Sequence, residues 1–99
     1  MTIEVKKEER TLKLAMKGRL DTMTAPQLEK AFCNRPADIR HLIMDCSDLE
    51  YMSSAGLRVL LMAHKTMVGQ GGTMIIRGEN AEIKEVFAIT GFSQILTIE

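Results

Sequence analysis

The stretch LIMDCSDLEYMSSAGLRVLL, residues 42–61, carries the change from strand to helix on which the fold turns. His41-Leu-Ile-Met-Asp-Cys46 is short and almost wholly apolar, as expected of a strand buried on both faces. Ser47 to Met52 connect it to a serine pair, Ser53 and Ser54. A helix follows to about Val68, with Gly69-Gln-Gly-Gly72 as its exit. At helical spacing, Leu57, Leu60, Leu61, His64, Met67 and Val68 gather on a core face, with Val59 and Ala63 at its margin. Ser54, Arg58, Met62, Lys65 and Thr66, with Ala55, gather on the other. An exposed methionine beside an arginine is either a partner contact surface or a stray surface side chain.

Upstream, Ile3 and Val5, then Leu12, Leu14 and Met16, alternate with polar neighbours and predict two half-buried strands. They form a hairpin at Glu9-Arg10, without an Asn-Gly signal to fix its register. Gly18-Arg19-Leu20-Asp21 breaks the alternation. Thr24 is placed at a helix N-cap, with Ala25 or Pro26 at the first helical position. Leu28, Ala31 and Phe32 supply the apolar stripe, and Asn34-Arg35-Pro36 ends the helix. Downstream, Thr73–Arg77 reads as a strand. Asn80 caps a helix bearing Ile83, Val86, Phe87 and Ile89, with Gly91 as its stop. Ile95–Ile98 is a last strand. The order β-β-α-β-α-β-α-β predicts a single α/β domain over residues 1–99. Its mixed sheet has right-handed parallel crossovers and an antiparallel hairpin at one edge.

Thirteen basic residues balance thirteen acidic ones in the 99-residue chain, and aromatics are 4%. A direct nucleic-acid binder needs a basic excess or stacking aromatics, so that class is set aside. No window holds the roughly 20 apolar residues that cross a bilayer. The charged, alternating N-terminus is no signal peptide. No membrane association is expected, and a cytoplasmic location follows by default. Cys33 and Cys46 fit no metal-ligand spacing and read as reduced packing residues. Asp45, Asp48 and Glu50 fit no calcium loop and read as solvated, open at most to a metal brought by a partner enzyme. The eight methionines mostly fall on core faces, as packing rather than a copper site.

The serine pair supports two readings. Either residue can serve as an N-cap, where orphan N–H groups and the positive dipole end favour a hydroxyl. The same place also suits a phosphate, whose added charge would alter a surface made by Arg58 and Met62. A hydrolase is disfavoured. His64 lies roughly 15 Å along the helix from Ser54 and faces the core, His41 lacks an evident oxyanion hole, and G-x-S-x-G is absent. Gly69–Gly72 leaves a helix and enters a strand, opposite to the direction of a dinucleotide loop.

The strand-loop-helix unit LIMDCSDLEYMSSAGLRVLL resembles the signature of STAS domains, and of the small free-standing anti-sigma factor antagonists among them. GRLDTMTA (18–25), GQGG (69–72) and VFAITGFSQIL (86–96) match as well, so the resemblance covers nearly the whole chain. It implies a STAS-like fold and a non-enzymatic role without catalytic residues, metal or cofactor. It further implies partner switching. An anti-sigma factor that is also a serine-protein kinase binds the unphosphorylated domain, phosphorylates a serine at the start of the central helix and is released. A PP2C-like phosphatase reverses the modification. By position the acceptor is Ser54, with Ser53 a minor alternative. Asp21, Ser53, Ala55, Gly56, Arg58 and Met62 fall on the partner-binding surface. Ser53 stands where the antagonists usually carry Asp. The alternative is a STAS subunit of another complex, in lipid transport or a signalling scaffold, whose serine pair is structural.

Overall fold

The computed structural model describes residues 1–99. Its strands are β1 (Thr2–Glu8), β2 (Thr11–Leu20), β3 (His41–Met52), β4 (Thr73–Arg77) and β5 (Thr97–Ile98). Its helices are α1 (Ala25–Cys33), α2 (Ser54–Gly69) and α3 (Ala81–Thr90), in the expected order along the chain. The sheet runs β1-β2-β3-β4-β5, antiparallel at β1/β2 and parallel elsewhere. Every parallel step goes the same way, so right-handed crossovers put all three helices on one face. Leu12, Leu14 and Met16 of β2, Leu42, Met44 and Cys46 of β3, and Met74 and Ile76 of β4 are buried on that face. Thr11, Lys13, Ile43, Ile75 and Arg77 point to the other, where no helix lies. The expectation that β3 is buried on both faces is therefore corrected. Its apolar run is interrupted on the open face by Asp45, which pairs with Lys13 at 3.8 Å.

Two segments read from the sequence as breaks are strand. β2 continues through Gly18 to Leu20, and β3 through Ser47–Met52. Their pairing shifts register twice, between Ala15 and Lys17 and between Gly18 and Arg19. At each shift β3 carries one residue more than β2, so its buried positions run Cys46, Leu49, Met52, three apart instead of two. Gly18 accommodates the second irregularity at φ +106°, a conformation that suits glycine. The hairpin turn sets its register by Glu8 pairing with Thr11, with Glu9 itself at φ 56° in place of the usual Asn or Gly.

The helices end as their sequences dictate. The Asn80 side chain accepts the Ile83 N–H at 2.9 Å, and Gly91 closes α3 in the left-handed region. Thr24 takes the N-cap position of α1 but makes no capping bond with its side chain. Elsewhere the burial differs in detail. Val5 is 59% exposed and Ile89 76%, because no element covers the outer part of β1 or the outer side of α3. Only Thr97–Ile98 of the expected last strand pairs with β4; Phe92–Gln94 form a 3₁₀ turn before it. Cys33 is exposed at the end of α1, so it is no packing residue, whereas Cys46 is buried. Desolvation, then the charges of Glu79 and Asp45, push the Cys46 thiol up to about 12.

The core face of α2 is rotated by about a quarter turn from the face read off the sequence. It consists of Gly56, Leu57, Val59, Leu60, Ala63 and Met67. Gly56 sets this orientation: an added Cβ there would sit 2.6 Å from Leu20 Cγ and 3.2 Å from Met52 Cγ. The helix is thus pressed by its first turn against the ends of β2 and β3. As a result Val68 is 55% exposed and His64 only half-buried, and Met62 turns half-buried against the core rather than standing exposed.

Candidate functional site

The last paired residues of β2 and β3 are Leu20 and Met52, so Asp21 and Ser53 leave the sheet side by side. The Ser53 N–H donates to the Leu20 carbonyl at 2.9 Å, which ties the start of α2 to the start of the Asp21 loop. Ser53 is the N-cap of α2, with extended backbone, and its carbonyl accepts from Leu57 N–H at 3.1 Å. Its hydroxyl makes no capping bond and lies buried without a hydrogen-bond partner. Ser54 is the first helical residue and is exposed. The pair therefore divides into one hydroxyl turned inward and one turned to solvent at the positive end of a 16-residue helix.

Asp21 is fixed by its own loop. Its Oδ1 accepts the Met23 N–H at 3.0 Å and the Thr24 N–H at 3.1 Å. In return Thr24 Oγ1 accepts the Asp21 N–H at 2.9 Å and donates to the Arg19 carbonyl at 2.8 Å. Thr24 thus spends its hydroxyl on the loop, which is why it does not cap α1. Desolvation raises the Asp21 pKa, but the hydrogen bonds from Thr24 and Met23 and the charge of Arg19 outweigh it. The carboxyl is held below its ordinary value of 3.8 and is ionised at neutral pH.

Arg58 is exposed one turn beyond Ser54 and lines a groove with Ala55 and Val59 of α2 and Thr22, Pro26 and Glu29 across it. The fold thus gathers Asp21, Ser53, Ser54, Ala55 and Arg58 at one end of the molecule. Gly56 is buried beneath them and supports the site from inside. Met62 lies a further turn along, half-buried. Two neighbours are missed by sequence reasoning. Arg19 stacks on Tyr51, its guanidinium 4.2 Å from the ring centroid, because the two are register partners. Met23, in the Asp21 loop, is 87% exposed. The signal for Met23 is an apolar residue inside a polar turn; the stack needs the β2/β3 register.

The arrangement holds no nucleophile-base pair. His41 begins β3, while Ser54 follows its far end; the partner run of β2 from Thr11 to Leu20, which pairs with His41 and Met52 at its two ends, spans roughly 30 Å at strand rise. The His41 Nδ1 lies 2.8 Å from Thr73 Oγ1. His64 stands three turns along α2, its Nδ1 buried without a partner. No three His, Cys, Asp or Glu side chains come together as metal ligands. No helix is long and apolar enough to cross a membrane.

The family model of the STAS domain matches residues 2–99. The Anti-sigma-B factor antagonist of Bacillus subtilis is 29% identical over 101 residues, covering 99% of this chain and 90% of its own length. Among solved structures, an anti-sigma factor antagonist from Mycobacterium paratuberculosis superposes with a TM-score of 0.88 at 23% identity. That match covers 98% of this chain and 83% of the other. The Bacillus cell fate determinant SpoIIAA in its phosphorylated form superposes with a TM-score of 0.78 at 16% identity, covering 99% and 91%.

Proposed function

The chain belongs to the STAS domain family, and on that premise we propose that it is a non-enzymatic anti-sigma factor antagonist switched by phosphorylation of Ser54. The observation that carries this reading is the division of the serine pair: Ser54 is exposed at the first position of α2, while the Ser53 hydroxyl is buried. Ser53 would have to be turned out of the fold to meet a kinase, so it is the lesser acceptor. Unmodified, the surface formed by Asp21, Ser53, Ala55 and Arg58, with Met23 and Met62 at its edges, docks an anti-sigma factor that is a serine-protein kinase. The kinase transfers the γ-phosphoryl group of ATP to Ser54 Oγ, releasing ADP and the hydroxyl proton. The added charge of about −1.5 to −2 sits well at a helix N-terminus but badly against the docked partner. The fold is kept and the complex is lost. A PP2C-like phosphatase hydrolyses the ester and restores binding.

The test uses the cognate kinase with ATP, mass-spectrometric mapping and binding of Ser54 variants. Label on Ser54 is expected, with Ser54→Ala binding the kinase and Ser54→Asp failing to. An unlabelled Ser54, together with kinase binding left intact in Ser54→Asp, refutes the switch. That result would favour a STAS subunit of another assembly, with a structural serine pair.

A further inference from the structure

Arg58 is a guanidinium without a partner in the folded protein. The salt bridges are Lys7–Asp38, Lys13–Asp45 and Arg77–Glu99, and the arginines that hydrogen-bond through their side chains are Arg35, Arg40 and Arg77. Arg19, the other cation near the site, is occupied by the Tyr51 ring. Glu29 lines the same groove as Arg58 but forms no ion pair with it. Arg58 stands four positions after Ser54 on one continuous helix, and both are exposed. At that spacing the Cβ atoms are about 6 Å apart on the same side of the cylinder. An extended arginine covers that distance with its planar fork still free for bidentate contact.

Resting on the phospho-switch above, we infer that Arg58 folds back onto a phosphate carried by Ser54 as an intramolecular clamp. Phosphorylation then does two things at once. It places negative charge at the head of α2, and it withdraws the one uncommitted guanidinium from the docking surface. In the unmodified protein that guanidinium points outward, suited to a carboxylate on the partner. The ester supplies its own acceptor, and the partner's carboxylate loses its counterion while facing the remaining charge of the phosphate. Asp21, ionised beside the site, opposes the phosphate, so Arg58 also offsets an unfavourable neighbour. Two parallel N–H···O bonds make this a geometric contact as well as an electrostatic one.

The experiment installs phosphoserine at position 54 during translation in the full chain, and so needs no kinase. Phosphate ionisation is followed by phosphorus NMR, with thermal melts alongside, in the parent, Arg58→Ala, Arg58→Lys and Arg19→Ala. The helix terminus acts alike in all four, so the differences isolate the arginine. The expected result is a second phosphate pKa lower in the parent than in Arg58→Ala by about 0.2–0.4 of a unit. Arg58→Lys should recover part of that shift, and Arg19→Ala should leave it unchanged. The rise in Tm on phosphorylation should shrink in Arg58→Ala. Equal titration curves in the parent and Arg58→Ala overturn the clamp. Because the phosphate is installed directly, that result leaves kinase labelling of Ser54 as a separate question, and the two failures are told apart.

Discussion

Replacing Gly56 with alanine sets two opposing effects against each other inside one turn of helix. Alanine is the better helix former by about 1 kcal/mol, so propensity alone stabilises the variant. The new methyl, however, meets Leu20 Cγ at 2.6 Å and Cδ2 at 2.7 Å, with Met52 Cγ at 3.2 Å. Carbon atoms rest at roughly 3.5–4.0 Å, so the overlap approaches 1 Å. Neither neighbour can retreat easily: Leu20 is 0% exposed and Met52 3%. Overpacking of this kind costs about 1–3 kcal/mol. With Leu20 and Met52 both enclosed, the clash falls in the upper part of that range, about 2–3 kcal/mol; it outweighs the propensity gain, and the net loss should be about 1–2 kcal/mol, or roughly 5–10 °C in Tm for a domain of this size. Urea titration and thermal melting followed by far-ultraviolet circular dichroism measure it. Relief should come from Leu20→Ala in the same chain: the double variant should be more stable than the sum of the singles by about 1 kcal/mol. Backing α2 away would also stretch the bond from Ser53 N–H to Leu20 C=O, so that amide should exchange faster. A Gly56→Ala protein that melts at or above the parent refutes the close-approach argument outright.

Gly69, in the last turn of the same helix, has open space where a methyl would stand, with nothing within 4 Å; Gly69→Ala should therefore stabilise, by about 0.5–1 kcal/mol in urea titration. The Asp45 carboxyl is held below its ordinary 3.8, chiefly by the Ser47 hydroxyl at 2.6 Å. A depressed folded pKa gives stability that is full above the unfolded value and lost as pH falls through the folded one. Ser47→Ala should hence be less stable than the parent at neutral pH, and the gap should close below 3.8; a gap constant with pH contradicts the assignment. A thiol reagent should modify Cys33 rapidly in the native protein, while Cys46, buried and with its pKa pushed up to about 12, reacts only on denaturation.

Most elements were legible because local chemistry and tertiary position agree in them. Asn80 and Gly91 bracket α3, and Thr73–Arg77 is strand, as their residue types demand. Reading failed where the buried period departs from two or from an apolar stripe. Leu49 and Met52 are core residues of β3, yet the bulges space them by three, so a strand looks like a loop. In α2 the decisive residue is one that hydrophobicity ranks low: Gly56 is buried for its lack of a side chain, and a stripe drawn without it is turned about the helix axis. That error makes Met62 look exposed and Val68 look buried. Ser54 survives both errors, since its exposure follows from its place in the first turn. The inward turn of the Ser53 hydroxyl and the Arg19–Tyr51 stack depend on how β2 and β3 end, which no local pattern encodes.

The unequal regularity of the β2/β3 pair also divides the chain by how freely its length can vary. At residues 11–15, 41–45 and 73–77 three strands march in unbroken register, and one inserted residue would turn every following side chain to the wrong face. Beyond Asp45, β3 pairs with β2 alone and already carries two extra residues. An insertion or deletion there changes the count in a bulge and leaves the core alphabet intact. Descendants of this sequence can thus gain or lose residues in this segment while Leu20 still pairs with Met52 and Asp21 still leaves the sheet beside Ser53, so that strand length varies and the site keeps its frame.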